Sequence, residues 1–230
     1  MNQHELNHVH NALYVVLQKL TTELEKAGIP YWLDFGTCLG AIRQQDFIPW
    51  DDDIDLALLR NDDQRLIQLL SEKLSDLVDI SVQTPNKPIA VPIKLELKGL
   101  HVIENKMEAN GIPNWLHPNI GIDIFFVDPR KNKPTQIMRI YRIFLSKIWQ
   151  AKQMAHFVGL EHPKSLHFIK KAKYRIASSI PRRLILKLIK LEIKKNVNLE
   201  ESKFIVHGVD SEFAYLVHES KEILPLKKIL

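Results

Sequence analysis

From residue 5 to residue 27, apolar side chains fall at Leu6, Val9, Leu13, Val16, Leu17, Leu20, Leu24 and Ala27. Steps of three and four put them on one stripe of an amphipathic helix, and Gly28 is suited to stop it. Pro30 follows, and Tyr31 to Phe35 predicts a short strand. Gly36-Thr37 then turns the chain into a short helical segment, Leu39 to Gln44. Asp53 to Leu59 predicts the next strand, and about Asp62 to Leu77 the next helix. Residues 79–104 alternate as extended chain does, most clearly at Ile93 to Leu97 and again at His101 to Ile103. Gly111 to Pro118 is rich in turn residues. Ile120 to Val127 predicts a further strand, ended by Asp128-Pro129. Residues 135–195 then read as mostly helical, broken at Gly159, Pro163 and Pro181, and 203–230 is mixed. Strands that alternate with helices predict an α/β fold.

With 230 residues the chain can build one sizeable domain, or one with a smaller appendage. Its 45% apolar and 26% charged residues are ordinary for a soluble globular protein. The lone Cys38 excludes an intramolecular disulfide and suits a reducing compartment. Met1 opens a polar stretch unlike a secretory signal, and no apolar run approaches 18 residues. These features point to the cytoplasm. The net charge of +5 is unevenly distributed. Residues 130–195 hold 18 lysines and arginines against Glu161 and Glu192, while the rest holds 14 basic and 25 acidic residues. An acidic part suits metal ions, and a basic part suits phosphates, nucleic acid or an anionic membrane. The expected organisation is a core over 1–130 and a basic helical region over 131–230, packed on that core.

The densest chemistry lies in Pro49-Trp50-Asp51-Asp52-Asp53-Ile54-Asp55-Leu56-Ala57-Leu58. On a strand Asp53 and Asp55 project to one face while Ile54 and Leu56 face the core. Neighbouring carboxylates repel, and Mg²⁺ or Mn²⁺ prefers such oxygen ligands. A solvated acidic turn is the plain alternative. A calcium loop is excluded, because Asp51, Asp53, Asp55 and Asp62 have the spacing but Leu56 stands where the loop needs glycine. Upstream, Gly36-Thr37 offers backbone N–H groups and a hydroxyl to a phosphate. Downstream, Asp123 is the one carboxylate in the apolar run Gly121 to Phe125, where it needs a cation or a donor. A glycine-threonine turn after a strand, a carboxylate pair and a third carboxylate on another strand together form a nucleotidyltransferase layout.

Tyr31-Trp32-Leu33-Asp34-Phe35-Gly36-Thr37-Cys38-Leu39-Gly40-Ala41-Ile42-Arg43, followed by Phe47-Ile48-Pro49-Trp50-Asp51-Asp52-Asp53-Ile54-Asp55, closely resembles the LicD family. That family includes bacterial phosphocholine transferases and is related to the fukutin group. The match is dense over roughly residues 10–60, with an echo at Gly121 to Asp128. The resemblance implies a mixed sheet flanked by helices, of the DNA-polymerase-beta-like nucleotidyltransferase type. It further implies that Gly36 and Thr37 hold donor phosphates, and that Asp53 and Asp55 bind metal with Asp123 as third carboxylate and base. Arg43 is implied on donor phosphate, Lys94 is a weaker phosphate candidate, and Trp50 and Pro49 are expected to brace the metal loop. Family members continue past the segment resembling Leu224-Pro225-Leu226 with a strand and a tyrosine-containing helix. This sequence stops at Leu230, before that segment, which on the resemblance puts acceptor binding and activity in doubt.

Several other features are read more plainly. His4 and His8 are a helical turn apart, but without a further ligand nearby they read as a solvated face. Tyr141, Phe144, Trp149 and Phe157 read as the packed face of a basic helix rather than a base-stacking platform. Arg182 to Lys190 is a basic amphipathic helix, for which an anionic membrane and a charged solvent face over a core stripe are equal readings. The favoured reaction moves phosphocholine or a similar phospho-substituent from a CDP-choline-like donor to a hydroxyl of a cell-surface glycan or glycolipid precursor. The rivals are nucleotidyl transfer to another acceptor, an inactive homologue serving as a binding subunit, and nucleic-acid binding through residues 130–195, which is the less favoured.

Overall fold

The computed structural model describes residues 3–60, 63–84, 91–100, 119–158, 176, 179–211 and 213–220. The first helix, α1, runs Gln3–Lys26 and buries Leu6, Val9, Leu13, Val16, Leu20 and Leu24, the stripe that its periodicity predicts. Gly28 adopts φ +65°, the left-handed conformation that glycine reaches without a steric penalty. Ile29 N then donates to Leu24 O at 2.9 Å and Gly28 N to Glu25 O at 3.0 Å, the paired bonds of a Schellman stop.

Strand β1 is Tyr31–Leu33, shorter than its pattern predicts. The chain leaves the sheet at Asp34, because Asp34 Oδ1 caps the next helix by accepting Phe35 N at 3.0 Å. Helix α2 is Phe35–Arg43. Next come β2 (Ile54–Leu59), α3 (Asp63–Leu74), β3 (Val78–Val82), β4 (Ile93–Leu97) and β5 (Gly121–Arg130). They are followed by α4 (Gln136–Val158), α5 (Arg182–Ile193), a 3₁₀ turn at Leu199–Glu201, β6 (Phe204–His207) and β7 (Val217–Glu219). Strand β5 outruns its predicted end and passes through Pro129. This is tolerated because Pro129 O accepts from Val197 N, on the edge facing away from β6, so no ladder bond is lost to the missing N–H. The predicted extension at 101–104, the turns at 111–118, and the breaks at Gly159 and Pro163 lie outside the described residues.

The fold is mixed α/β. Its sheet has the order β1-β2-β5-β4-β3, with β2 parallel to β5 and the other pairings antiparallel. Val127 pairs with Leu59 on one side and His207 on the other, so β6 lies opposite β2 and follows β4 along the same edge of β5. Strands β6 and β7 thus come from the C-terminal part and join the sheet built by the first 130 residues. One face carries Ile54, Leu56, Leu58, Ile93, Leu95, Leu97, Ile122, Ile124 and Phe126, and is covered by the buried stripes of α1 and α3. Each such side chain contributes about 1.5–3 kcal/mol on burial. The opposite face holds a small cluster of Ala57, Leu59, Val127 and Ile205 with Trp32. A separate core joins α4 and α5 through Leu145, Trp149, Ile185 and Ile189 to Val209 and Ala214.

Candidate active site

The alternation that sends Ile54 and Leu56 into the core sends Asp53 and Asp55 to the opposite face. The parallel register then sets Asp55 directly beside Asp123, and the antiparallel register sets Lys94 beside Asp123 on its other side. Asp53, Asp55 and Asp123 can each present an oxygen within 4.8 Å of the other two. Lys94 Nζ donates to Asp123 Oδ1 at 2.7 Å. Asp51 and Asp52 form a second carboxylate group with Asp53 at its edge.

Among the described residues, this much negative charge with one lysine is poorly compensated. Burial, followed by the charges of Asp53 and Asp123, pushes the Asp55 carboxyl up to about 8. Burial and then Asp123 push Asp53 to about 6. Asp123 is also raised by burial, against the pull of Lys94. Oxygen-only donors that resist ionisation together are a hard divalent cation's preferred ligands, so the three residues fit Mg²⁺ or Mn²⁺.

Helix α2 is bonded to this cluster through the backbone. Asp34 N donates to Asp55 O at 2.9 Å, and Asp55 N donates to Thr37 Oγ1 at 2.8 Å. Thr37 therefore ties α2 to β2, while its O–H proton remains available to a ligand. Gly36 sits against Asp51, whose Oδ2 would lie 2.8 Å from any added Cβ. Gly40 admits the backbone of Asp46 and Ile48, the nearest atom 2.7 Å from where a Cβ would stand. Arg43 is exposed in the last turn of α2, about 9 Å along the axis from Thr37 at 1.5 Å per residue. Of the residues expected at the site, Asp53, Asp55, Asp123 and Lys94 are brought together. Thr37 touches the backbone of that group, Gly36 packs on Asp51, and Arg43 stands apart.

Trp50 does not brace the loop as expected; its side chain is 78% exposed. That work falls to His10, whose Nε2 donates to Asp51 O at 2.6 Å while its ring stacks on Phe47 at 4.3 Å. His10 carries no signal in the sequence, since its contact spans 41 residues. Asp34 and His207 were also missed. His207 Nε2 lies 3.5 Å from Asp34 Oδ2, and burial, then the charges of His218 and Arg142, lower His207 to about 4. Asp34 is raised by burial. Between them Phe35, with φ +41°, carries a strain of about 1 kcal/mol or more to seat its ring against Phe125 and Phe213. Asp34 before Gly36-Thr37 had a readable signal, that of a helix N-cap.

Comparison with known proteins adds to this geometry. Residues 28–90 match the family model described as LicD/FKTN/FKRP, nucleotidyltransferase domain. Over 61 residues the chain is 39% identical to an uncharacterised protein of Rickettsia prowazekii, covering 26% of this chain and 23% of that one. It is 45% identical over 56 residues to human ribitol 5-phosphate transferase FKRP, covering 24% and 11%. It is 49% identical over 45 residues to the lipopolysaccharide cholinephosphotransferase LicD of Haemophilus influenzae, covering 20% and 17%. In each case the match spans less than a quarter of the relative's length. No solved structure matches the chain. Residues 28–90, which hold β1, α2, β2 and the Asp51–Asp55 run, are therefore a LicD/FKTN/FKRP-type segment, and the family resemblance carried by Tyr31 to Asp55 is shown.

Proposed function

We propose that the chain is a metal-dependent transferase of a phospho-substituent, with a nucleotidyltransferase-like site on the β2–β5 strand pair. The observation that carries this reading is the convergence of Asp53, Asp55 and Asp123 from two strands, with Asp55 pushed up to about 8. Three carboxyls crowded beside one lysine are costly to ionise together unless a cation joins them. The relatives' names, cholinephosphotransferase and ribitol 5-phosphate transferase, support a phosphate-linked small group as the cargo.

Asp53, Asp55 and Asp123 would hold Mg²⁺ or Mn²⁺, which supplies neutralisation of phosphate charge and polarisation of the bond to the leaving group. The protein's own residues orient the reactants. The Gly36-Thr37 turn, with the Thr37 hydroxyl fixed by Asp55 N, receives the diphosphate of a CDP-activated donor. Lys94, held on Asp123, places a positive charge beside the transferred phosphate. Asp123, raised by burial, accepts the proton of the attacking hydroxyl of a glycan precursor. Arg43 is proposed to meet the donor from the far end of α2.

The test is Mn²⁺ titration with and without CDP-choline or CDP-ribitol, followed by CMP release in the presence of a glycan extract. The expected result is metal-dependent donor binding and CMP release with one of the two donors. Donor binding that is absent at saturating metal would overturn the reading.

A further inference from the structure

Between Lys131 and Val158 the chain has no acidic residue. The buried side of α4 holds Arg142, Leu145, Ser146 and Trp149 against α5 and the β6–β7 region. Its opposite side is not polar. Ile137 is 80% exposed, Ile140 67% and Phe144 63%, with Met138 and Tyr141 exposed beside them. Steps of three and four put Ile137, Ile140, Tyr141 and Phe144 on one stripe, two turns long. Large apolar side chains scattered singly on a surface are ordinary, but a contiguous stripe marks a docking face. Lys131 and Lys133 are exposed just before the helix and Lys147 just after the stripe, and Lys195 Nζ stands 5.9 Å from the Tyr141 ring.

The sequence points instead to Arg182–Lys190 as the membrane-facing candidate. Ile185 and Ile189 of that helix are buried against α4, which leaves Leu184 and Leu191 half-exposed, two turns apart. Among the described residues the larger free stripe belongs to α4. No described helix is long and apolar enough to cross a membrane, so the helix would lie along a surface.

We propose that Ile137, Ile140, Tyr141 and Phe144 dock the chain on an anionic lipid bilayer, with Lys131, Lys133 and Lys147 meeting the headgroups. A large apolar centre inside a cationic rim matches hydrocarbon beneath anionic headgroups. Its two most exposed members, Ile137 and Ile140, give RNA bases no face to stack on, although Tyr141 and Phe144 would. The docking itself is independent of the proposed transfer, because it needs neither metal nor donor.

The experiment is co-sedimentation of the full chain with phosphatidylcholine vesicles, with and without phosphatidylglycerol, at physiological salt and without divalent ions. Binding is expected to the anionic vesicles alone. The variant Ile137→Gln, Ile140→Gln, Phe144→Gln should lose at least about tenfold in partitioning. Its melting temperature should not change, because all three side chains are exposed. The variant Lys131→Glu, Lys133→Glu, Lys147→Glu should lose the preference for anionic vesicles. The proposal is overturned if the wild type binds neither vesicle, or if the glutamine variant binds as the wild type does. A dimer that the glutamine variant dissociates would also overturn it by assigning the stripe to a second copy, and so would RNA binding that outcompetes vesicles.

Discussion

The strand pair β2–β5 carries a cluster of ionisable groups at each end, and the two are built on opposite principles. At the leaving end, Arg60 meets Asp128 at 2.9 Å and Asp210 at 2.7 Å, while Glu192 accepts from Arg142 at 3.0 Å and from Arg130 at 3.4 Å. Burial works against the charge of Arg60, but Asp210 and Asp128 outweigh it and raise its pKa. Cations and anions are matched there, and Arg142 and Ser146 also reach the backbone of His207 and Ser211. At the entering end Asp53, Asp55 and Asp123 share, among the described residues, only Lys94, and burial with mutual repulsion pushes Asp53 and Asp55 up to about 6 and about 8. The matched cluster joins the C-terminal strands and helices to the sheet. The mismatched one is short of positive charge among the described residues, which is what the proposed metal site requires.

The sharpest way to break this contrast is Arg60→Leu. It strands Asp210 and leaves the buried Asp128 with only Asn196 at 2.8 Å and Arg130 at 3.9 Å, and should cost about 3–5 kcal/mol in denaturant unfolding. A loss below about 1 kcal/mol would mean that the matched cluster is not structural.

Asp55→Asn should act in the opposite direction on stability. A carboxyl whose folded pKa is raised stabilises the fold below its unfolded pKa, and that contribution is lost as pH rises through the folded value. For Asp55 and Asp53 the window runs from the ordinary carboxylate range up to about 8 and about 6. The metal-free protein should therefore melt at progressively lower temperature as pH rises through that window. The Asn variant should flatten the trend and gain about 1–3 kcal/mol at pH 8, while CMP release falls by roughly 10³-fold. Melting curves in EDTA that rise with pH across the window would contradict the mismatch.

Added Mn²⁺ should raise the melting temperature of the wild type more at pH 8 than at pH 5, since the ion competes with protons for the same oxygens. Equal gains at both pH values would place the ion elsewhere.

The smallest effect is expected from His10→Ala, which removes the bond to Asp51 O and the stack on Phe47. About 0.5–1.5 kcal/mol of stability should be lost, with metal affinity weakened by up to about tenfold. Unchanged metal affinity would show that the Asp51–Asp53 loop holds its shape without α1.

Much of this was already written in local pattern. The α1 stripe, the stop at Gly28, the projection of Asp53 and Asp55 away from Ile54 and Leu56, and the LicD-like run from Tyr31 to Asp55 depend on helix and strand periods of a few residues. Those periods follow from backbone geometry alone, so they are legible along the chain. What the tertiary structure decided is which distant segments meet. Asp123 reaches Asp55 through the parallel register of β2 and β5, and Lys94 reaches Asp123 through β4. His10 and His207 enter the site's surroundings from opposite ends of the chain. Strand β1 ends early because Asp34 caps α2, and the larger free apolar stripe falls on α4 because α5 buries Ile185 and Ile189. Each of these outcomes rests on strand order, register and competition for burial, which are properties of the assembled sheet and not of any window of sequence.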